Sequence, residues 1–517
     1  MKDAMNESAR DLPERIPIRT KIVSTVGPAS DSEEMLAKLI EAGVDLFRLN
    51  MAHNTSEQTQ PVVDRIRTVE KKLVQPIGIL ADLGGPKMRL GELPGGEFVC
   101  EAGKTIKFVR NPESAGSAAF TTTYPQLVDD LKPGDTVLLA DGTVALEVTE
   151  KDSGSATCKI VQGGKIRSRQ GINLPGVELS VKTLQPIDKA NAVWAVKAGL
   201  DYLGLSFVRT ADDIRELRGI LETAAEEKVG AAKWAKLKED EKRTYYPNIV
   251  AKIEKPETLD CLEEIIGESD AVMVARGDLG VEANVARIAV IQKRIIRICH
   301  QMARPVIVAT QMLESMTTES MPTRAEATDV ANAILDGTDA CMLSGETAIG
   351  NHPVMVVEMM HRIAEETEKL LRERTEEERF LEVGFFEDIL ESSEVSEQAK
   401  ISVAVCNAAG QLADSVGAAM IAVTTDTGRT ALNLSKMRNF VMTVGSSPRI
   451  EVLRKMSLYW GVIPVCGLPT DPKAMIAILV EMGQAAGYVS HGDSIVMAAG
   501  IGADAGSLNA LYVHLVE

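Results

Sequence analysis

The sequence predicts an α/β protein: a (β/α)8 barrel of the TIM type, with a small β-barrel lid domain inserted after strand 3 and a C-terminal α/β domain. Three observations predict this fold. Eight short apolar runs alternate with helical patterns, the gap between the third and fourth runs is much longer than the others, and a second alternation of strands and helices follows the eighth run. A chain of 517 residues has room for three domains. We place the barrel at 1–86 and 187–370, the lid at 87–186 and the C-terminal domain at 371–517.

The eight apolar runs are continuous, which is typical of parallel strands buried on both faces. They begin at Lys21, Leu46, Ile77, Tyr202, Asn248, Ala271, Pro305 and Ala340. Helical patterns separate most of them, for example SDSEEMLAKLIEAG after the first run. Most runs end in polar residues and glycine, and the carboxyl ends of the strands are where such barrels carry catalytic groups.

The long third connection and the segment after the barrel are organised differently. Residues 87–186 are rich in Gly, Thr and Val, and TVLLADGTVALEVTE predicts a hairpin around Asp141–Gly142, so we expect an all-β lid that excludes water from the chemistry. An acidic stretch beginning at Glu365 is interpreted as a solvated helix and linker. From Ala399, helices and strands alternate again and predict a separate α/β domain. The charged stretch 222–247 lengthens the connection between strands 4 and 5, and we assign it no function.

Charge and composition exclude several classes of function. The 56 Lys and Arg residues are outweighed by 74 Asp and Glu, and the net charge of −18 repels nucleic acid and anionic lipid, so we expect neither as a partner. No apolar run is long enough to span a membrane, and the first residues have no apolar signal-peptide core. Seven cysteines lie far apart without paired spacing, which argues against disulfides and structural zinc. We therefore expect a reduced, cytoplasmic protein.

Two carboxylates and a lysine lie at the ends of adjacent predicted strands. Glu254 ends strand 5 and Asp278 ends strand 6, and hard oxygen ligands without histidine or cysteine suit Mg²⁺ or Mn²⁺. Lys252 precedes Glu254 by two positions, so both side chains point to the same face of the strand, where an ammonium beside a divalent ion stabilises developing negative charge. The alternatives are that the carboxylates only form salt bridges and that Lys252 only pairs with Glu254.

Two further features suit an anionic substrate. Arg48 in LFRLN is flanked by apolar residues and suits bidentate recognition of phosphate, although a structural ion pair explains it equally well. In GDLGVEANVARIAV a glycine turn leads into a helix, whose free backbone N–H groups suit a carboxylate or phosphate. Asp278 in this segment also fits an ordinary N-cap.

Long motifs at the strand ends resemble the pyruvate kinase family. They are RLNMAH, KIEKPE, MVARGDLGVE, VIVATQMLESM with PTRAEATDVANAILDG, and MLSGETAIGNHPV, in family order, with GINLPG at the return of the lid and LYWGVIPV in the last domain. The resemblance covers nearly the whole chain. It implies transfer of the phosphoryl group of phosphoenolpyruvate to ADP in glycolysis, giving ATP and, after protonation of enolpyruvate, pyruvate. It also implies Mg²⁺, with Mn²⁺ as the alternative cofactor, and a homotetramer.

The resemblance also implies roles for individual residues. Glu254 and Asp278 would hold the divalent metal, and Lys252 would bridge the transferring phosphoryl group and stabilise the enolate, through positioning and charge. Arg48 would contact the phosphoryl group, and Thr310 would contact the substrate carboxylate near the face where the enolate gains its proton. The remaining implied contacts are those of the backbone N–H groups of Gly277 and Asp278 with that carboxylate, and of Asn50, His53 and Arg89 with the nucleotide.

Several positions depart from the family pattern for binding K⁺. Ala52 and Leu83 stand where the family has serine and threonine, so two oxygen ligands are missing, and Lys87 stands where potassium-dependent members carry glutamate. The loss of K⁺ removes one positive charge, and an ammonium in place of a carboxylate compensates for it. We therefore expect Lys87 to substitute for the monovalent cation and K⁺ not to be required. The alternative is that Lys87 is an ordinary exposed lysine and that the changes at Ala52 and Leu83 have no functional meaning. Gly84 stands where the family has a lysine.

The segment TTDTGRTA lies at a strand-to-helix turn of the C-terminal domain. Its hydroxyls, its glycine and an arginine at a helix start suit a phosphate group, and the family uses the matching segment for a sugar-phosphate activator. The loop near Gly500 lacks the basic or aromatic residues that hold a bisphosphorylated sugar, so we expect a sugar monophosphate or a nucleotide monophosphate as the effector. An ordinary Ser/Thr capping turn is the alternative. The candidate effector-binding residues are Thr424, Thr425, Thr427, Gly428, Arg429 and Thr430.

Two other functions fit parts of this pattern. A metal-dependent aldolase acting on pyruvate enolate would share the paired carboxylates and the pyruvyl pocket, but would need neither the lid nor Lys252 beside Glu254. A catalytically inactive barrel kept as an effector sensor would be indicated by the loss of Lys252, Glu254 or Asp278, and all three are present.

Overall fold

The computed structural model describes residues 18–52, 54–114, 117–177, 179–373, 396–500 and 508–517. Within these residues eight parallel strands form a closed barrel, in which the eighth strand pairs with the first. The predicted runs are all confirmed as strands, and the third and seventh begin one residue later than predicted. The barrel strands are Lys21–Thr25, Leu46–Asn50, Gly78–Asp82, Tyr202–Leu205, Asn248–Ile253, Ala271–Ala275, Val306–Ala309 and Ala340–Leu343.

Helices cover the outside of the barrel, and local capping fixes where several of them begin. Ser32 accepts a hydrogen bond from the N–H of Met35, and Thr323 forms a reciprocal capping box with Glu326. The long helices are Glu33–Ala42, Ser56–Leu73, Pro186–Ala198, Ala211–Val229, Ile288–Gln301, Arg324–Leu335 and Pro353–Glu373, and the short ones are Ala231–Trp234, Glu239–Lys242, Leu262–Glu268, Arg276–Glu282 and Gly345–Ala348. In the described part of the chain no helix has the length and apolar character needed to cross a membrane.

The insertion between the third and fourth barrel strands is a domain built mainly of β-strands, as predicted, with one short helix. In its described residues the strands pair as one six-stranded and one two-stranded sheet rather than as a single closed barrel. The predicted hairpin is present, because Leu139 pairs with Val144 across a turn in which Ala140, Asp141 and Gly142 have positive φ. The lid strands are Glu97–Cys100, Thr105–Val109, Ala119–Phe120, Thr136–Leu139, Val144–Lys151, Ser155–Gln162, Gly164–Arg167 and Ile172–Asn173, and a short helix spans Leu127–Asp130.

The C-terminal domain is a five-stranded sheet with helices, in which the last strand pairs antiparallel at one edge. The helix Pro472–Ala485 has no counterpart in the sequence predictions, and Asp471 caps it by accepting a hydrogen bond from the N–H of Ala474. Of the predicted acidic helix and linker, the structure describes the part within helix Pro353–Glu373, and residues 374–395 lie outside the described residues. The other elements are helices Glu397–Ser415, Arg429–Lys436 and Ile450–Met456 and strands Met420–Thr424, Met442–Ser446, Val462–Val465, Ser494–Ala499 and Ala510–Leu515.

The interior of the barrel continues into the core of the C-terminal domain. Alternate residues of the barrel strands, among them Leu80 and Tyr202, belong to the same buried apolar cluster as Leu458 and Tyr459 of the C-terminal domain. The hydroxyl of Tyr202 donates a hydrogen bond to the backbone carbonyl of Lys455. The two domains therefore share one apolar core.

A buried ionic cluster crosses the same boundary. The carboxylate of Asp339, which immediately precedes the eighth barrel strand, lies 2.7 Å from the Lys436 ammonium and 3.2 Å from the Arg438 guanidinium. It also accepts a hydrogen bond from the N–H of Val306 at 2.8 Å. The side chains of Asp339 and Lys436 are both 0% exposed, so the charge of Lys436 is compensated by Asp339, and the charge of Asp339 by Lys436 and Arg438.

The charged connection 222–247 is anchored on the C-terminal domain. The ammonium of Lys455 donates hydrogen bonds to the carbonyls of Arg243 and Tyr246 at 2.7 and 2.8 Å. This stretch, which received no function from its sequence, is thus part of the contact between the barrel and the C-terminal domain.

Candidate active site

The carboxyl ends of the second, third and fifth barrel strands bring two cations to one buried carboxylate. Oδ2 of Asp82 accepts hydrogen bonds from Nε and Nη2 of Arg48 at 2.9 and 2.5 Å. Oδ1 of Asp82 lies 3.2 Å from Nζ of Lys252. Burial raises the pKa of Asp82, but the charges of Lys252 and Arg48 outweigh burial and hold that pKa below its ordinary value. Asp82 therefore stays ionised and fixes both cations at the mouth of the barrel.

Lys252 lies between two carboxylates. Its Nζ is 2.7 Å from Oε1 of Glu254 and donates a hydrogen bond to Oγ of Ser206 at 2.9 Å. The two-residue spacing along the fifth strand places Lys252 and Glu254 on the same face, as predicted. Burial lowers the pKa of Lys252, but Asp82 and Glu254 outweigh burial and raise that pKa above its ordinary value. Lys252 is therefore a fixed positive charge at the strand ends.

Glu254 is buried, and its second oxygen is held by the backbone. Oε2 accepts a hydrogen bond at 2.7 Å from the N–H of Phe207, a residue with φ of 56°. Burial raises the pKa of Glu254, Lys252 opposes that rise, and the charge of Asp278 adds to it. The fifth and sixth barrel strands pair in parallel, and Glu254 and Asp278 follow their carboxyl ends, so the two predicted metal ligands share one region of the barrel mouth.

The donor set of this region fits a magnesium ion. No group of three or more His, Cys, Asp and Glu side chains that could hold a metal ion is present in the described residues. Glu254 and Asp278 instead supply two hard oxygen ligands, and Mg²⁺ commonly takes one or two carboxylates together with water and substrate phosphate oxygens. The salt-bridge alternative for Glu254 is also realised, because Lys252 contacts its Oε1.

Thr310 and the helix Arg276–Glu282 form the second half of the site. The N–H of Gly277 donates a hydrogen bond to Oγ1 of Thr310 at 2.7 Å, and Nη2 of Arg276 donates to the Thr310 carbonyl at 2.8 Å. Thr310 has φ of 71°, an unfavourable conformation for a β-branched residue, and these two contacts stabilise it. Asp278 lies in the first turn of the helix, so the alternative that it is an ordinary N-cap is wrong.

The predicted nucleotide-binding residues lie on different parts of the molecule. Asn50 ends the second barrel strand, and its Oδ1 accepts a hydrogen bond from the N–H of Ala52 at 3.0 Å. Arg89 lies in the lid segment, where its guanidinium donates to a lid carbonyl at 3.3 Å. His53 lies outside the described residues. The structure therefore shows Asn50 on the barrel and Arg89 on the lid.

Lys87 lies near one of the two predicted metal ligands. Its Nζ is 3.8 Å from Oδ1 of Asp278, and both side chains are partly exposed. Leu83 is buried, and a Cβ atom at Gly84 would lie only 3.3 Å from Cα of Ala52. The backbone at Gly84 is therefore packed too closely to accept a larger side chain without a shift.

A cleft between the lid and the barrel leads to these residues. Asp278 lines this cleft together with Lys87, so one of the two predicted metal ligands is accessible from it. Its other lining residues include Met88, Ile172, Asn173 and Leu179 from the lid segment and Phe207, Arg209, Lys255 and Glu282 from the barrel.

The predicted effector segment forms a turn at the carboxyl end of strand Met420–Thr424. Oγ1 of Thr425 accepts a hydrogen bond from the N–H of Gly428 at 3.0 Å, and Gly428 has φ of 88° before the helix begins. The guanidinium of Arg429 lies 3.1 Å from Oδ1 of Asp240 in the charged connection. Residues 501–507, which belong to the predicted second wall, lie outside the described residues. The other candidate residues, all partly exposed on this turn, are Thr424, Thr427 and Thr430.

Sequence reasoning missed two polar residues of the site. Ser206, which donates to the carbonyl of Leu83 at 2.6 Å and accepts from Lys252, directly follows the fourth barrel strand. Thr25 ends the first strand and accepts a hydrogen bond from Arg48 at 3.3 Å. Both residues lie at or directly after the carboxyl ends of barrel strands, where catalytic groups are expected, so the same search of the first and fourth strands would have found them.

A phosphoryl-transfer enzyme is the class that this fold and site define, because two cations and two carboxylates converge at the mouth of a lidded (β/α)8 barrel. Family models described as "Pyruvate kinase, barrel domain" and "Pyruvate kinase, alpha/beta domain" match residues 18–357 and 403–514. The chain belongs to the pyruvate kinase family.

Individual relatives agree with the family models. The chain is 37% identical over 509 residues to "Pyruvate kinase 2" of Synechocystis sp., with 97% of this chain and 80% of that protein covered. It is 36% identical over 484 residues to the pyruvate kinase of Methylorubrum extorquens, with 93% and 94% covered. A crystal structure of a pyruvate kinase from Cryptosporidium parvum matches with a TM-score of 0.85 at 30% identity and covers 97% of this chain and 96% of that chain. The protein is thus a glycolytic phosphotransferase, and neither the aldolase nor the inactive sensor is supported.

Proposed function

We propose that Lys252, Arg48 and Thr310 carry the family reaction, in which the phosphoryl group of phosphoenolpyruvate passes to ADP. The Lys252 ammonium held between Asp82 and Glu254 is the observation that supports this proposal. Arg48 and Lys252 bind the phosphoryl oxygens. As the P–O bond to the enol oxygen breaks and a bond to the terminal oxygen of ADP forms, Lys252 stabilises the charge left on the enolate. The enolate then gains a proton at its methylene carbon, near Thr310, to give pyruvate.

The substrate carboxylate and the metal belong at the helix Arg276–Glu282. We propose that the backbone N–H groups of Gly277 and Asp278 receive the carboxylate. The N–H of Gly277 already donates to Thr310, so the hydroxyl must turn or share that donor when substrate binds. Glu254 and Asp278 would hold Mg²⁺, with Mn²⁺ as the alternative, and the bound ion would neutralise charge on the phosphoryl group.

A coupled assay for pyruvate formation tests this function directly. With phosphoenolpyruvate, ADP and Mg²⁺ we expect pyruvate and ATP in equal amounts, and we expect chelation of the divalent ion to abolish both. Formation of no pyruvate by the folded chain, with either Mg²⁺ or Mn²⁺, would overturn the proposal.

The nucleotide would bind between the two sides of the cleft. Asn50 lies on the barrel and Arg89 on the lid, so closure of the lid would bring both to one nucleotide, with His53 as the third proposed contact. We also place the protein in the cytoplasm as a homotetramer, as the family resemblance implies.

Catalysis without K⁺ is expected, because Lys87 supplies a positive charge 3.8 Å from Asp278. When K⁺ is replaced by tetramethylammonium at constant ionic strength, the turnover number of the wild type should be unchanged. Lys87→Glu should lower it roughly tenfold or more in the same buffer, which corresponds to about 1.4 kcal/mol. Lys104→Glu, at an exposed lid lysine, is the control for charge reversal. Collapse of wild-type activity in tetramethylammonium would contradict a role of Lys87 as cation substitute.

We propose the turn from Thr424 to Thr430 as the effector site, for a sugar monophosphate or a nucleotide monophosphate. Its strand lies where the order of the sheet reverses, since strand Met420–Thr424 has the next strand in sequence on one side and Ser494–Ala499 on the other. Ligands of open α/β sheets bind at such positions, beyond the carboxyl ends of the strands. Asp240 pairs with Arg429, so a phosphate must displace this carboxylate.

Thermal shift measurements test the effector site. A ligand at a hundred times its Kd stabilises the folded chain by about 2.7 kcal/mol, so a bound sugar monophosphate or AMP should raise the unfolding temperature measurably. Arg429→Ala should abolish the shift, and Asp240→Asn should produce it at lower ligand concentration. The absence of a shift with any sugar phosphate or AMP would argue against an effector.

A further inference from the structure

One buried junction connects the lid to the helix that carries Gly277 and Asp278. Both oxygens of Glu282, the last residue of that helix, lie 2.7 Å from the Lys255 ammonium. Oε1 of Glu282 accepts a further hydrogen bond, at 3.3 Å, from Nδ2 of Asn173 in the lid. The side chains of Lys255 and Glu282 are only 5% and 3% exposed.

Each member of this junction belongs to a different part of the active site. Lys255 directly follows Glu254 at the end of the fifth barrel strand. Glu282 closes the seven-residue helix whose first turn contains Asp278. Asn173 is the last residue of the strand Ile172–Asn173, which lies at one edge of the six-stranded lid sheet. A movement of the lid that keeps the bond between Asn173 and Glu282 therefore acts directly on the helix.

The charge of Glu282 does not depend on Asn173. The Lys255 ammonium contacts both carboxylate oxygens, so the buried charge is already compensated and hydrogen-bonded. Asn173 is a neutral donor at a longer distance, and it contributes less to the stability of the pair. It does span the cleft, which both Asn173 and Glu282 line. A bond of this kind fits a role in orientation better than a role in stability.

We propose that Glu282 is a positioning residue that, through Asn173, sets the lid in register with the helix Arg276–Glu282. With this bond the lid closes over the substrate in one orientation relative to Asp278. Without the bond the lid also closes in other orientations, in which the bound substrates are misplaced and do not react. This inference goes beyond the family reaction and rests on the proposed roles of Gly277 and Asp278.

Asn173→Ala is the direct test. We expect kcat/KM for phosphoenolpyruvate to fall about tenfold, chiefly through kcat, because small misplacements at an active site have effects of this order or larger. The unfolding temperature should be unchanged, since the pair of Glu282 and Lys255 remains. Asn111→Ala is the matched control: Asn111 is also a lid asparagine, but its Oδ1 accepts its hydrogen bond from the N–H of Glu113 within the lid. This control should keep wild-type kinetics.

A second pair of variants separates orientation from loss of packing. Asn173→Asp places a carboxylate against Glu282 and should lower kcat/KM more than Asn173→Ala. Addition of Glu282→Gln removes that repulsion, restores a donor and keeps one carboxylate in the junction with the Lys255 ammonium. A double variant whose unfolding temperature shows that it is folded should therefore recover part of the loss. Wild-type kcat/KM in Asn173→Ala would overturn the proposal, whatever Asn173→Asp shows, as would equal losses for Asn173→Ala and Asn111→Ala. An inactive wild type would instead contradict the proposed function, so the two failures are distinguishable.

Discussion

Replacement of Lys252 with methionine is expected to lower the turnover number about 100- to 1000-fold, because a preorganised electrostatic stabiliser contributes about 2.7–4 kcal/mol to the transition state. Methionine has a similar length and no charge, so it fills the space between Asp82 and Glu254 without stabilising the enolate. The KM for phosphoenolpyruvate should change much less, because Arg48 and the backbone of Gly277 and its neighbour still bind the substrate. Steady-state kinetics with both substrates varied measures the two effects separately.

The control for this variant is Lys197→Met. Lys197 is exposed on the helix Pro186–Ala198 outside the barrel, so the same chemical change there should leave turnover unaltered. The unfolding temperature of Lys252→Met shows whether the chain is folded, since the substitution leaves two buried carboxylates without their shared cation. A folded Lys252→Met variant with wild-type turnover would remove Lys252 from the mechanism.

Asp339→Ala is expected to give the largest loss of stability, roughly 3–5 kcal/mol, because it leaves a buried ammonium without its partner. The Lys436 side chain is 0% exposed and lies 2.7 Å from the Asp339 carboxylate. Thermal or denaturant unfolding measures the loss. Asp212→Ala is the control, because Asp212 forms an exposed ion pair with Arg215 and such pairs contribute about 0–1 kcal/mol. Equal losses for the two variants would contradict the importance of the buried cluster.

The same carboxylate gives the wild type a pH dependence of defined sign. Burial raises the pKa of Asp339, but Lys436 and Arg438 outweigh burial and hold that pKa below its ordinary value. A carboxyl whose pKa is lower in the folded chain stabilises the fold above its unfolded pKa, and this contribution is lost as the pH falls through the folded pKa. Below about pH 3.9, the unfolding temperature of the wild type should therefore fall more steeply than that of Asp339→Ala.

Most of the site could be predicted from the positions of the strands, because catalytic groups lie at their carboxyl ends and chain direction alone identifies those ends. In a closed parallel barrel all carboxyl ends lie at one rim, so Arg48, Lys252 and Glu254 were expected at the same rim once their strands were recognised. The central position of Asp82 was not predictable in the same way. Its contacts with Arg48 and Lys252 depend on side chains from three strands, and a sequence does not state which rotamers will meet.

Contacts between separate domains were beyond the sequence signals. The bond between Asn173 and Glu282 depends on the orientation of the lid, and neither residue stands in a pattern that indicates its partner. The sheet arrangement of the lid likewise depends on pairings between distant strands. By contrast, the helix Pro472–Ala485 has a recognisable start, with Asp471 as cap and proline at the first position, and a closer reading of its sequence would have found it.

The apolar cluster shared by the barrel and the C-terminal domain limits how the enzyme can be shortened. A fragment ending before Glu397 would expose Tyr202 and the other barrel residues of this cluster to water. A newly exposed apolar patch of this kind favours aggregation. The barrel therefore cannot be separated from the C-terminal domain by simple truncation.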